Sequence, residues 1–164
     1  MATVHLICGS TGAGKTTYAQ ALANRVGGVR LSIDEWMWHL FVADRPEPLS
    51  LEWAIERTAR CEAQMWAIAD QLLARGTDVV FDVGLSKREH RDRFRTRAAQ
   101  AGASKLHYLD VDPETRRERV RRRSAQPQDG TSSIVVTEPM FDWMEGWFET
   151  PDDDELYDAM IVCS

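Results

Sequence analysis

An α/β fold built on one parallel sheet is predicted by three features of this 164-residue chain. A short apolar run at 4–8 leads into the glycine-rich stretch Gly9-Ser10-Thr11-Gly12-Ala13-Gly14-Lys15-Thr16, and helix-tolerant residues follow at 16–23. Short apolar runs then recur between longer amphipathic stretches, the alternation that a doubly wound sheet requires. The length suits a single domain, one that buries roughly 70% of its unfolded surface.

Each element follows in order. The first strand is expected near 3–8, and the helix after the glycine-rich turn runs to about Val26, where Gly27 and Gly28 end it. Residues 29–33 form a short second strand, followed by Asp34 and an aromatic helix from Glu35 to about Val42. Pro46 and Pro48 forbid a continuing helix, so 44–48 is a loop. Ser50 caps a long amphipathic helix through about Ala74, stopped by Gly76. Residues 79–82 are the third strand, 86–101 a helix that Ser86 is suited to cap, 106–111 the fourth strand, and 113–123 a basic helix. Residues 124–133, rich in Ser, Gln, Pro and Gly, read as the most flexible stretch, where a lid of about 116–136 would lie. A last helix at 139–148 and a fifth strand at 159–163 complete the chain.

Residues 9–16 match G-x-x-x-x-G-K-[ST] in full, in the strand–turn–helix setting that gives the pattern its meaning. Gly9, Gly12 and Gly14 let backbone N–H groups converge on phosphate oxygens, and the helix N-terminus adds its dipole. Ser10, Thr11, Ala13 and Thr17 complete the cradle. Lys15 would reach the β- and γ-phosphates, and the Thr16 hydroxyl would ligate Mg²⁺. A nucleoside triphosphate is the implied ligand.

No apolar run approaches the ~18 residues of a membrane span, and no basic-then-apolar leader precedes the first strand. Cys8, Cys61 and Cys163 sit unpatterned among apolar neighbours and read as buried free thiols, hence a reducing, cytoplasmic setting. The net charge of −6 hides an asymmetry: residues 86–124 carry thirteen Lys/Arg against six Asp/Glu, while 138–158 hold nine acids and no base. That combination argues against a surface that coats nucleic acid.

Ligands of such sheets bind at the carboxyl ends of the strands, which draws Asp34, Asp82 and Lys15 to one cleft. Asp34, directly after the second strand, is placed to accept a hydroxyl proton during phosphoryl transfer; Asp is also favoured there as a helix N-cap. Asp82 ends the apolar strand Val79-Val80-Phe81-Asp82 and would hold Mg²⁺ or, with Gly84 letting backbone approach, contact substrate. Arg116, Arg119 and Arg123 share a helix face by i, i+3, i+4 spacing and would meet phosphate oxygens in pairs when a lid closes. Arg117, Arg121 and Arg122 would face solvent or pair with Glu114 and Glu118. Trp36, Met37 and Phe41 lie near the proposed acceptor site and would line it, whereas Trp53 and Trp66 read as core. Trp143 and Trp147, four apart, form a stripe suited to the core or to covering the cleft. His5, His39, His90 and His107 show no ligand spacing.

On Gly9–Thr16, Ser32-Ile33-Asp34, Asp82-Val83-Gly84, Arg119-x-x-x-Arg123 and Val136-Thr137-Glu138-Pro139-Met140-Phe141, the chain resembles the small P-loop kinases over nearly its whole length. The resemblance is to the zeta-toxin-like, polynucleotide-kinase-like and antibiotic-phosphotransferase-like branch, grouped with AAA-type ATP-binding proteins. It implies strand order 2-3-1-4-5, ATP-Mg²⁺ as donor, Asp34 as general base, and Lys15, Arg119 and Arg123 on the phosphates. Polynucleotide 5′-kinases of this kind tend to carry an arginine one helical turn after the base; here Met37 or Trp38 stands there. The expected activity is phosphorylation of a small-molecule hydroxyl on a nucleoside, sugar or antibiotic-like compound, by a monomer or homodimer. The competing readings are a polynucleotide 5′-hydroxyl kinase and a non-catalytic ATP-binding switch.

Overall fold

Val4, Leu6, Ile7 and Cys8 are sealed from solvent, and the strand that holds them, β1 (Thr3–Cys8), is the centre of a five-stranded sheet. The computed structural model describes residues 2–48, 50–125 and 136–163. The other strands are β2 (Val29–Ser32), β3 (Val79–Asp82), β4 (Ala103–Asp110) and β5 (Met160–Cys163). All neighbours run parallel, in the order β2-β3-β1-β4-β5. The order puts the end of β1 beside the ends of β3 and β4, and the register pairs Ser32 with Asp82.

Side chains alternate across β1 as the strand period of two demands. Val4, Leu6 and Cys8 join Phe81, Met65 and Phe94 in the larger core under α3 (Leu51–Leu73) and α4 (Arg88–Ala101). Ile7 faces the other way, with Val80, Ala19, Leu22 and Leu109 under α1 (Lys15–Val26). Trp66, expected in the core, is partly buried and packs against it, its ring tilted against Phe81 and Phe94. Trp53 is only half-buried, edge-on to Phe41 with the Arg57 guanidinium over its ring.

The second strand ends one residue early, because Ser32 turns the chain: its hydroxyl accepts from Glu35 N–H and starts α2 (Ile33–Phe41). A single 3₁₀ turn follows at Val42–Asp44. Ser86 is not the cap of α4. Lys87 holds that position without a side-chain cap, and the Arg88 N–H donates instead to the Glu149 carboxylate at 2.7 Å. The basic helix α5 spans Pro113–Ala125 and α6 spans Glu138–Trp147; residues 126–135 of the expected lid lie outside the described ones. A short α7 (Asp153–Leu156), absent from the expectations, is built on an Asp152–Glu155 capping box. Cys8 and Cys61 are buried, but Cys163 is exposed, since β5 is an edge strand.

The charge asymmetry resolves into internal pairing. Arg117 of α5 reaches Glu138 at 2.6 Å and Asp142 at 2.8 Å on α6, with Glu114 only at 3.9 Å. Arg121 pairs with Glu138, Lys87 with Glu149, and Arg88 with Asp152 and Asp154. The acidic tail therefore folds back onto the basic middle of the chain.

Candidate active site

The glycine-rich turn joins the buried end of β1 to α1, so its backbone amides gather at a helix N-terminus. Gly14 is the N-cap at φ +89°, a conformation that disfavours any side chain. Gly12, at φ +80°, is needed for a further reason: a Cβ there would stand 2.6 Å from the Arg116 carbonyl oxygen of α5. The turn is thus pressed against the basic helix. Lys15 folds over the loop, its Nζ donating to the Ser10 carbonyl at 3.0 Å.

A second clamp was not legible in the sequence. Arg116 is buried rather than presented to phosphate: it donates to the Val111 and Thr11 carbonyls and holds the Glu145 carboxylate of α6. Ser10 donates its hydroxyl to the same carboxylate. Arg116 therefore leaves the proposed phosphate-binding face and becomes the tie between loop, α5 and α6. Of the two remaining arginines of that face, Arg119 stays at the loop. The Arg119 Nη1 lies 4.0 Å from the Cβ position at Gly14, and the Arg123 charge acts on both Lys15 and Asp34.

Asp34 occupies the first turn of α2, one residue past Ile33, and does not cap it; Ser32 does. Its carboxylate reaches solvent at the cleft but is crowded by protein on its other sides. That crowding raises its pKa, against the pull of Lys15 and Arg123. Asp82 is buried at the end of β3, and its pKa is likewise raised by burial, with Arg30 opposing and Asp34 adding repulsion. Lys15 is pushed down by burial and held up by Asp82 and Asp34. Lys15, Asp34, Asp82 and Arg123 consequently share one field.

Arg30 is the residue sequence reasoning missed here. It projects from β2, donates to Asp82 Oδ2 at 2.9 Å and also pairs with Glu35. A charged residue inside the short strand run Val29–Ile33 was the available signal. The pairing ties up one Asp82 oxygen. Thr16 and Asp82 nonetheless offer hard oxygen donors only, the kind Mg²⁺ takes, and the repulsion between Asp82 and Asp34 is what a cation relieves. Gly84 has φ +85°, and Leu85 after it is also left-handed at φ +47°, so the turn after β3 is sharply bent beside the cleft. Trp36 and Met37, expected to line an acceptor pocket, pack in part against the larger core.

A family model described as an AAA domain, AAA_33, matches residues 4–151. The chain belongs to that family. Its parallel sheet in the order β2-β3-β1-β4-β5 is the P-loop kinase-like fold. Solved structures share the fold. A sugar kinase from a Janibacter species aligns over 99% of this chain and 86% of its own, at TM-score 0.62 and 18% identity. A gluconokinase from Sinorhizobium meliloti aligns over 98% and 82%, at 0.63 and 19%. Kti12 from Chaetomium thermophilum, in complex with ADP-AlF3, aligns over 98% and 88%, at 0.68 and 16%. No curated protein matches the chain in sequence. No helix among the described residues is long and apolar enough to cross a membrane.

Proposed function

We propose that the protein is an ATP-dependent kinase that transfers the γ-phosphoryl group to a hydroxyl of a small molecule, with Asp34 as the general base. The observation that carries this reading is the placement of Asp34 in the first turn after β2, beside Asp82 at the end of the paired strand β3, with Lys15 folded over the phosphate loop. Asp34 is released from capping duty by Ser32, and its raised pKa makes it a better proton acceptor than an ordinary carboxylate. The acceptor hydroxyl would give its proton to Asp34 while its oxygen attacks the γ-phosphorus in line with the departing ADP oxygen. Lys15, Arg119 and Arg123 would spread the charge on the transferring group. Thr16 and Asp82 would hold the Mg²⁺ that neutralises the β- and γ-oxygens of bound ATP. The pairing of Arg117, Arg121 and Arg88 with carboxylates of the acidic tail supports a small acceptor over a nucleic-acid end, since those three cations are engaged within the protein and not offered to a phosphate backbone.

The test is transfer from γ-labelled ATP with Mg²⁺ to a pool of hydroxyl-bearing small molecules, and separately to 5′-hydroxyl oligonucleotides. Wild type should label a small molecule, and Asp34→Asn should lower the rate about 10²- to 10⁴-fold with ATP affinity retained. Unchanged transfer in the variant would remove Asp34 as base. Label on oligonucleotide ends would select the polynucleotide reading, and ATP binding with no transfer to either pool would leave a nucleotide-binding switch.

A further inference from the structure

Trp143 and Trp147 are neither core nor scattered surface. They stack on each other with ring centroids 5.4 Å apart and planes 15° apart, and they are 63% and 49% exposed. The helix beneath them is fixed: Phe141 is buried against Val120 and Val136, and Glu145 is tied to Arg116 and Ser10. The Lys87 ammonium lies 4.0 Å from the Trp147 ring centre. Two large rings are therefore held rigid in water, an arrangement that costs hydrophobic free energy unless something covers them.

What lies beside them gives the site a direction. A cavity of about 190 Å³ opens between α6 and the phosphate loop, lined by the hydroxyl-bearing Ser10, Thr11 and Ser86 and by Trp143, Met144 and Trp147. Ser10 and Thr11 belong to the loop itself, and Ser86 follows the bent turn after β3, so the cavity reaches the phosphate loop at one end and the tryptophans at the other. Among the described residues, none of its lining side chains is charged. Charged groups around the tryptophan end are paired: Lys87 with Glu149 at 3.0 Å, Arg116 with Glu145 and Arg88 with Asp154 at 2.6 Å, while the Lys15 ammonium stands at the loop end on the Ser10 carbonyl at 3.0 Å.

Resting on the kinase reading above, we infer that this cavity is the acceptor pocket and that it selects an uncharged alcohol whose body is a planar ring, such as a nucleoside or a benzylic alcohol. The ring packs against Trp143 and Trp147 while the hydroxyl end points past Thr11 toward the phosphate loop. An apolar cavity of about 150 Å³ accommodates benzene, so the volume of about 190 Å³ admits one planar ring, and the rest of the acceptor, a ribose or a hydroxymethyl group, extends from it toward the phosphate loop. At the tryptophan end a carboxylate or phosphate on the ring would give up water for no free partner, since the Lys87 ammonium over Trp147 is already held by Glu149 at 3.0 Å.

The test measures binding and transfer separately. Uridine, thymidine and benzyl alcohol form the ring panel, with glycerol and gluconate as ringless neutral and anionic comparisons. Binding is read by tryptophan fluorescence and calorimetry with a non-hydrolysable ATP analogue present, and transfer by labelled ATP. Wild type should bind at least one ring alcohol at least tenfold more tightly than either comparison. Trp143→Leu should weaken that binding about tenfold, the scale of one lost ring stack, raising KM more than it lowers kcat, and Trp143→Phe should restore most of the loss. Trp143 is exposed, so the thermal midpoint of both variants should stay near wild type. Ring binding that depends on Trp143 but is followed by no transfer would sink the kinase reading and keep the pocket. Transfer to glycerol or gluconate that ignores Trp143 would keep the kinase and overturn the pocket. No preference for any ring alcohol would overturn it as well.

Discussion

A methyl group on Gly12 would meet both the Arg116 carbonyl oxygen at 2.6 Å and a Val120 methyl at 3.0 Å, with the backbone at φ +80°. Backbone strain alone costs about 1–2 kcal/mol for an L-residue in that region, and the contact adds to it, because a helix carbonyl cannot swing aside as a long side chain does. Gly27 is the natural comparison: φ is +63°, and nothing stands within 4 Å of the added methyl. Gly12→Ala should therefore lower ATP affinity at least tenfold and depress the thermal midpoint. Gly27→Ala should cost on the order of 1 kcal/mol and leave ATP affinity alone. Calorimetric titration with ATP and thermal unfolding of both variants check this; equal effects on ATP binding would show that the α5 contact is irrelevant to the loop. Asp34 shows the same lesson in reverse, since one hydroxyl on Ser32 decides what the carboxylate two residues later is free to do.

At the scale of elements, the turn after β3 is held from outside. Arg91 of α4, fully buried, donates through Nη1 to the Leu85 carbonyl at 3.2 Å and the Glu149 carbonyl at 2.8 Å. The Glu155 carboxylate of α7, equally buried, accepts from its Nε at 2.7 Å and its Nη2 at 2.9 Å. Burial alone would raise the Glu155 pKa, but the hydrogen bonds from Arg91 and the Asp152 backbone hold it below the usual carboxylate range. Glu155→Leu should destabilise the fold by about 3–5 kcal/mol, because it strands a buried guanidinium. The double variant Arg91→Met, Glu155→Leu should recover much of that loss, and urea unfolding distinguishes the two. A double variant as unstable as the single would show that the ion pair is not what holds the turn. The strands, α1, α3 and the phosphate loop were legible because their signals are local: apolar runs, the G-x-x-x-x-G-K-T spacing, and Gly27 and Gly76 as stops. The Arg91–Glu155 and Arg116–Glu145 ties and the Arg30–Asp82 pair were not, because each joins residues 29 to 64 positions apart. Ser86 failed as a cap for the same reason, since Glu149 supplies the α4 amide from the other end of the chain.

Across the whole molecule, two of the four histidines that showed no metal-ligand spacing, His5 and His107, form a buried chain. On the α1 side of the sheet, Asp78 contacts His5 Nε2 at 3.3 Å, His5 Nδ1 lies 3.0 Å from His107 Nε2, and the Tyr18 hydroxyl lies 2.8 Å from His107 Nδ1. Three elements meet there, and Thr3 N–H donates to the same Asp78. Burial, followed by the charges of His5, Arg25 and Lys105, pushes the His107 pKa down to about 4 from 6.5. A group whose folded pKa is depressed binds its proton more readily in the unfolded chain. Its contribution is therefore full above pH 6.5 and shrinks as pH falls toward 4, by about 3 kcal/mol in all. Asp34 and Asp82, whose pKa values are raised, work in the opposite direction over the lower part of that window, so the measurement must compare variants rather than read one curve. His107→Gln keeps hydrogen-bonding capacity without titrating near neutrality. Urea unfolding free energies taken at pH 7.5 and pH 4.5 should fall more steeply for wild type than for His107→Gln, by about 2 kcal/mol. Parallel slopes in the two proteins would mean that the chain through His5 and His107 carries no proton linkage to folding.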